Sequence, residues 1–213
     1  LIRLRTAGSP ADNLDVLIVA EGYTAAEQPK FARDAARFAE ALWEAAPFAA
    51  YRDRVNLWAL AAVSQDSGVT EPRKGIARDT AVGVSFDTFG SPRYLTTERI
   101  HRLRDVAAAA PYDTIVILVN TSRYGGAGIY NQFAIFPSDN LYDEYVFLHE
   151  FGHSFGALGD EYYSSGVAYE EFYPAGVEPW EPNITALLDP ANPKWGAQIP
   201  AGTPCPTPED RER

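Results

Sequence analysis

Leu14-Asp-Val-Leu-Ile-Val-Ala20 is a short apolar run of the kind that forms a buried strand. Glu21-Gly-Tyr23 then turns the chain. Thr24-Ala-Ala-Glu27 has the spacing of a capping box, in which Thr accepts a backbone amide and Glu reaches back. Phe31, Ala35, Phe38 and Leu42 recur at helical spacing, which predicts an amphipathic helix from Phe31 to Trp43 that Pro47 ends. Arg54–Val63 reads as a second strand. Residues 64–93 hold many Gly, Pro, Ser and Thr with no clear period, and read as a long surface excursion that rims a cleft or covers the sheet. Thr96 or Thr97 caps a helix reaching about Ala109, Asp113–Val119 is a third strand, and Ile129–Phe136 a fourth. Ser138 or Asn140 starts a last helix, and from Ser164 onward Pro and aromatics dominate without periodicity. The order β-α-β-loop-α-β-β-α-coil predicts an α/β fold with a mixed, mostly parallel sheet. Residues 1–213 are expected to form a single domain with an irregular subregion at 164–213.

Composition narrows the function classes. The chain has 213 residues, 46% apolar and 22% charged, as globular domains have. Its net charge of −11 repels phosphate backbones and anionic membranes, so nucleic acid is not an expected partner. The apolar runs Val16–Ala20 and Ile115–Val119 are too short to span a bilayer, so no membrane insertion is expected. The lone Cys205 excludes an internal disulfide framework and a cysteine-based zinc cluster. The chain starts at Leu1 without Met, which reads as an excised or processed segment.

The last helix carries the candidate chemistry. His149-Glu-Phe-Gly-His153 puts two imidazoles four residues apart, on one face of a helix. Both can offer a nitrogen to one zinc ion. Glu150 lies about 100° round the helix from His149, beside a metal rather than on it. There it can take a proton from water on the zinc and pass it to a leaving amine. Phe147, Leu148, Phe151, Phe155 and Leu158 fall in one arc opposite the histidines, which separates a core face from a histidine face. Against this stands the plain reading of a helix with two solvated histidines, since HExxH also arises by chance.

A zinc site needs a third protein ligand. Compact sites read HExxHxxGxxH, but here Gly156 is followed by Gly159 where the third His would stand, and then by Asp160-Glu161. On an unbroken helix Asp160 would lie about 10 Å beyond His153, too far to share a metal. The helix is therefore expected to end, with Gly156 or Gly159 as its left-handed terminal residue. Asp160 then folds back as third ligand, with Glu161 as the near alternative. If the helix runs on, Glu170, Glu171 or Glu178 must serve. Two acids at a helix exit are poorly placed against the dipole, a misfit that a cation offsets.

Several stretches together are similar to the IgA-peptidase-like family of bacterial zinc metallopeptidases. They include LDVLIVAEGYTAAEQPKF at 14–31, Pro47-Phe48, SQDSG at 64–68, RYGGAGIYNQFAIF at 123–136 and HEFGHSFGALGDEYY at 149–163, with EPNIT and KWGAQIPAGTPCPTP later. The resemblance implies a zincin-like catalytic domain acting as an endopeptidase. It implies one zinc ion, His149 and His153 as ligands, Glu150 as general base and an acidic third ligand from Asp160-Glu161. Metzincins place a Met-containing turn beneath the metal. This chain has no methionine, so that floor is expected to be missing or substituted. The family's members continue past the Thr-Pro motif, so a further segment after Arg213 is expected too. Substrates are expected to be proteins or peptides, and the location secreted or at a bacterial cell surface.

The remaining candidates are weighed on chemistry alone. Tyr124-Gly-Gly-Ala-Gly128 precedes the strand before the zinc helix, where an edge strand can pair with a substrate backbone. Gly126 and Gly128 would let that backbone come close, or they belong to a plain hairpin. Tyr162, Tyr163 and Tyr130 are candidates to hydrogen-bond a tetrahedral oxyanion, with aromatic packing as the alternative. Glu21-Gly22-Tyr23 is expected to be structural, and His101 a surface histidine. Ser67 and His101 lack the nucleophile context of a serine hydrolase. Two further readings keep the zinc but change the role. One is a cell-surface module that binds glycan or protein through a non-catalytic zinc site, and the other is a zinc amidase or deacetylase.

Overall fold

Val16–Glu21 is buried on both faces, as a strand is when it lies at the centre of a sheet covered on both sides. The computed structural model, which describes residues 1–161 and 173–204, places it there. The strands are β1 (Ile2–Arg5), β2 (Leu14–Glu21), β3 (Val55–Leu60), β4 (Thr114–Val119), β5 (Ala127–Ile129) and β6 (Phe133–Pro137). They form one sheet in the order β1-β3-β2-β4-β6-β5. The four inner strands run parallel, and β1 and β5 pair antiparallel at the two edges. The α-helices among the described residues are α1 (Gln28–Glu44), α2 (Phe48–Tyr51), α3 (Ile100–Ala107) and α4 (Asp143–Gly156). The fold is the expected α/β arrangement on a mixed, mostly parallel sheet.

Strand alternation sends Val16, Ile18 and Ala20 to one face of the sheet. They pack there with Phe31, Ala35, Phe38 and Leu42 of α1 and with Val146, Phe147 and Phe151 of α4. Leu17 and Val19 face the other way, onto Leu103 and Ala107 of α3. Val69, Val82, Val84 and Phe86 complete that second core, so the 64–93 excursion covers the sheet. It also closes the carboxyl end of β2. Gly68 N–H donates to the Gly22 carbonyl at 2.9 Å, and Ser64 N–H to the Tyr23 carbonyl at 2.9 Å. The buried Glu21 carboxylate accepts the Thr80 hydroxyl and the Val82 and Val84 amides. Burial pushes the Glu21 carboxyl up from its ordinary range, although these bonds favour its charge.

Some boundaries differ from the sequence reading. The Thr24 site opens with a 3-10 turn at Ala25–Glu27, and α1 follows without a break. The stretch 129–136, read as one strand, is a hairpin whose ends are β5 and β6. Asn131 sits in its turn with φ 56°, and donates its N–H to the Ser154 carbonyl of α4 at 2.9 Å. β1 was not foreseen. Its Ile2 and Leu4 pack on the core while Arg3 points away, and an irregularity between Arg3 and Arg5 breaks the alternation, so no period stands out. Asn140 accepts the Tyr142 amide at 3.0 Å and closes the turn that leads into α4.

Two compact units divide the chain, Leu1–Gly156 and Ala157–Arg213. The sheet and all four helices belong to the first. In the second, the described residues hold one 3-10 turn, Gly196–Gln198. Lys194 Nζ organises part of it by donating to the carbonyls of Glu181 and Ile184, each at 2.8 Å.

Candidate metal centre

Helix α4 is seated by its apolar side. Val146, Phe147 and Phe151 are buried, and Phe147 packs against Phe38 and Phe136 with ring centroids 5.7 and 4.8 Å away. Its first turn is pinned from α1. The Arg37 guanidinium bonds both Asp143 carboxylate oxygens at 3.0 and 2.7 Å and the Ser138 carbonyl at 2.6 Å. The core arc is narrower than foreseen. Phe155 is half exposed, stacked on Phe151 with 5.2 Å between centroids, and Leu158 lies past the helix and is 41% exposed. The helix stops at Gly156, and the left-handed residue beyond it is Ala157, φ 56°, not Gly156 or Gly159 as the sequence suggested. A glycine was not required because a single alanine tolerates that region at modest cost.

The opposite face carries the histidines. His149 Nε2 and His153 Nε2 stand 3.1 Å apart, their rings at 85°. Tyr145, one turn earlier, stacks on His149 with 5.8 Å between centroids. Both histidines are partly buried. Four ligands placed tetrahedrally at about 2.1 Å from an ion stand roughly 3.4 Å apart. Two imidazole nitrogens 3.1 Å apart fit two of those four positions round one zinc ion.

The alternative acids are engaged elsewhere. Glu161 accepts Asn183 Nδ2 at 2.7 Å. Glu178 pairs with Lys194 at 3.6 Å and accepts the Ala186 amide at 3.2 Å. Glu170, Glu171, Tyr162 and Tyr163 lie outside the described residues. Asn183 was not singled out from sequence. Besides Glu161 it bonds both the N–H and the carbonyl of Gly159, at 2.8 and 2.9 Å, and so ties down the residue before Asp160. The signal for it was the EPNIT stretch, noted as a motif without a role.

β5 lies directly over α4. The side-chain positions of Gly126 and Gly128 are filled by Glu150 and His153. Gly126 N–H donates to the Arg93 carbonyl at 3.2 Å, and its carbonyl accepts the Leu95 amide at 3.4 Å. Tyr130 is half exposed in the β5–β6 turn. Ser67 donates to Glu27 at 2.7 Å and His101 is exposed on α3, so no serine-hydrolase arrangement forms there.

The family model of IgA peptidase M64 matches residues 2–213. The chain belongs to the IgA peptidase M64 family. Among curated proteins it has no significant match. Membership in the M64 family, a metallopeptidase family, makes the chain a peptidase acting on proteins or peptides. No helix among the described residues of this M64 peptidase is long and apolar enough to cross a membrane.

Proposed function

We propose that the chain is a zinc-dependent endopeptidase in which His149, His153 and Asp160 hold the ion and Glu150 is the general base. The observation that carries this reading is the pair of imidazole nitrogens that α4 holds 3.1 Å apart on one face. When bound, zinc supplies Lewis acidity that acidifies water and polarises the scissile carbonyl. Glu150 stands about 100° round α4 from His149, so its carboxylate flanks the ligand face without joining it. It takes a proton from the attacking water as the C–O bond forms, and returns it to the amine as the C–N bond breaks.

The sheet edge supports an extended peptide as substrate. β5 is the outermost strand on that side. The outward peptide groups of Gly126 are bonded to Arg93 and Leu95. Alternation along the strand turns Gly128 outward next, where its N–H and carbonyl face the open edge beside α4. A substrate strand adding there would gain backbone bonds independent of its sequence. Tyr130, in the adjoining turn, is the described candidate to donate to the oxyanion.

Metal analysis paired with cleavage of casein tests the reading. The wild-type chain should carry one zinc and lose cleavage to a chelator. Glu150→Gln should keep zinc and lose hydrolysis by roughly 100-fold or more, and His149→Ala should lose both. Zinc with no cleavage of any broad peptide library would instead support a binding module. Cleavage confined to non-peptide amides would support an amidase.

A further inference from the structure

The face that β5 and the residue just before it turn toward α4 is bare. Gly126 and Gly128 are two residues apart and so look to the same side. A Cβ on Gly126 would lie 2.6 Å from Glu150 Oε1, and 3.0 Å from both Glu150 Cγ and the Ile135 carbonyl oxygen. A Cβ on Gly128 would lie 2.5 Å from His153 Cβ, and closer still to the Glu150 carbonyl oxygen. Neither glycine has a left-handed φ, so backbone freedom does not explain its presence. Space does.

The two glycines meet different parts of α4. Gly128 faces helix backbone and a Cβ, which cannot yield unless α4 moves off the sheet edge. Gly126 faces mainly the end of a side chain, which can yield by swinging away. We propose that Gly126 and Gly128 are positioning residues: Gly128 sets how closely the histidine-bearing helix approaches the edge strand, and Gly126 leaves the space in which the Glu150 carboxylate rests. The inference rests on Glu150 being the general base. It adds that the orientation of this base is set by a residue 24 positions earlier, whose peptide groups are themselves held by Arg93 and Leu95. An added methyl at residue 126 turns the carboxylate away while leaving the two imidazoles where they are.

Gly126→Ala is the deciding variant, read by zinc affinity, melting temperature and the split between kcat and KM. Zinc affinity and melting temperature should match wild type, KM should be unchanged, and kcat should fall on the order of 100-fold, as a misplacement of about 1 Å produces. A double-variant cycle separates the carboxylate from the rest of the fold. In a Glu150→Ala background the space beyond residue 126 is vacated, so adding Gly126→Ala should change neither zinc affinity, melting temperature nor residual rate. Wild-type kcat in Gly126→Ala would overturn the proposal. So would further loss in the Glu150→Ala background, because the clash would then lie with the Ile135 carbonyl. If Gly126→Ala alone fails to fold, the double variant still decides, since recovery of folding in it supports the proposal and failure overturns it. A Glu150→Gln chain that cleaves at the wild-type rate sinks the role of Glu150 itself. Gly128→Ala, read by binding of zinc alone, should then still weaken the metal roughly tenfold, the range of changes that disturb ligand orientation.

Discussion

Tyr145 lies stacked on His149, 5.8 Å between ring centroids and 22° between planes. The two are one helical turn apart, and Tyr145 is 63% exposed, so its ring shields one side of the imidazole while its own outer side meets solvent. An aromatic pair of this kind contributes about 1 kcal/mol. Tyr145→Ala should therefore weaken zinc binding roughly fivefold by freeing the His149 ring, whereas Tyr145→Phe should keep wild-type affinity. Competition with a chromophoric chelator reads the difference, and equal affinities for the two variants would refute the stacking role.

The third ligand is open to direct comparison. Asp160 is the proposed ligand, while its neighbour Glu161 is bonded to Asn183. Asp160→Ala should lower zinc affinity by more than roughly 100-fold, beyond the range of outer-shell changes. Glu161→Ala should leave it near wild type. The reverse order, measured by metal titration of the purified variants, would move the ligand by one residue.

Arg37 and Asp143 fasten the start of the histidine-bearing helix to α1 through two parallel bonds, 2.7 and 3.0 Å long. Arg37→Met removes these and the bond to the Ser138 carbonyl, and leaves the largely buried Asp143 without its main partner. A loss of about 2 kcal/mol in urea unfolding is expected, in the range for hydrogen bonds to charged groups. Amide exchange should speed up over residues 143–147. A variant that unfolds at the wild-type urea concentration would count against this anchoring role.

Glu27 predicts an acid limb in the stability profile. Burial opposes its charge, but bonds from the Thr24 amide, the Ser67 hydroxyl, the Thr24 hydroxyl and Asn120 outweigh that, holding its carboxyl at about 2 against an ordinary 4.5. A depressed folded-state value means the unfolded chain takes up the proton first. The contribution is thus whole above pH 4.5 and fades as pH falls toward 2. Glu27→Gln should lower stability at neutral pH and flatten the slope between those limits. Urea unfolding at successive pH values checks it, and an unchanged slope would dismiss the assignment.

Much of the fold was legible because local periodicity follows from local geometry. The unbroken apolar run of β2 announced a buried strand and that of β4 a further strand, and Phe31, Ala35, Phe38 and Leu42 announced the inner stripe of α1. The pairing of His149 with His153 needed only the pitch of a helix. The hairpin between β5 and β6 was hidden, because apolar residues continue on both sides of Tyr130-Asn131-Gln132 and only Asn131 adopts the left-handed turn. The end of α4 was hidden for a similar reason. Its left-handed residue is an alanine, which carries no breaker signal.

By itself, then, the order of residues determined the α/β class, the helix that presents two imidazoles on one face, and the acid left beside them. Those features depend on contacts within a turn or two of the chain. The tertiary structure decided where that helix stops, that Asn183 grips Gly159 from 24 residues away, and that Gly126 and Gly128 are empty because Glu150 and His153 fill the space. Close packing couples segments far apart in sequence, and no periodicity along one segment records what another will press against it.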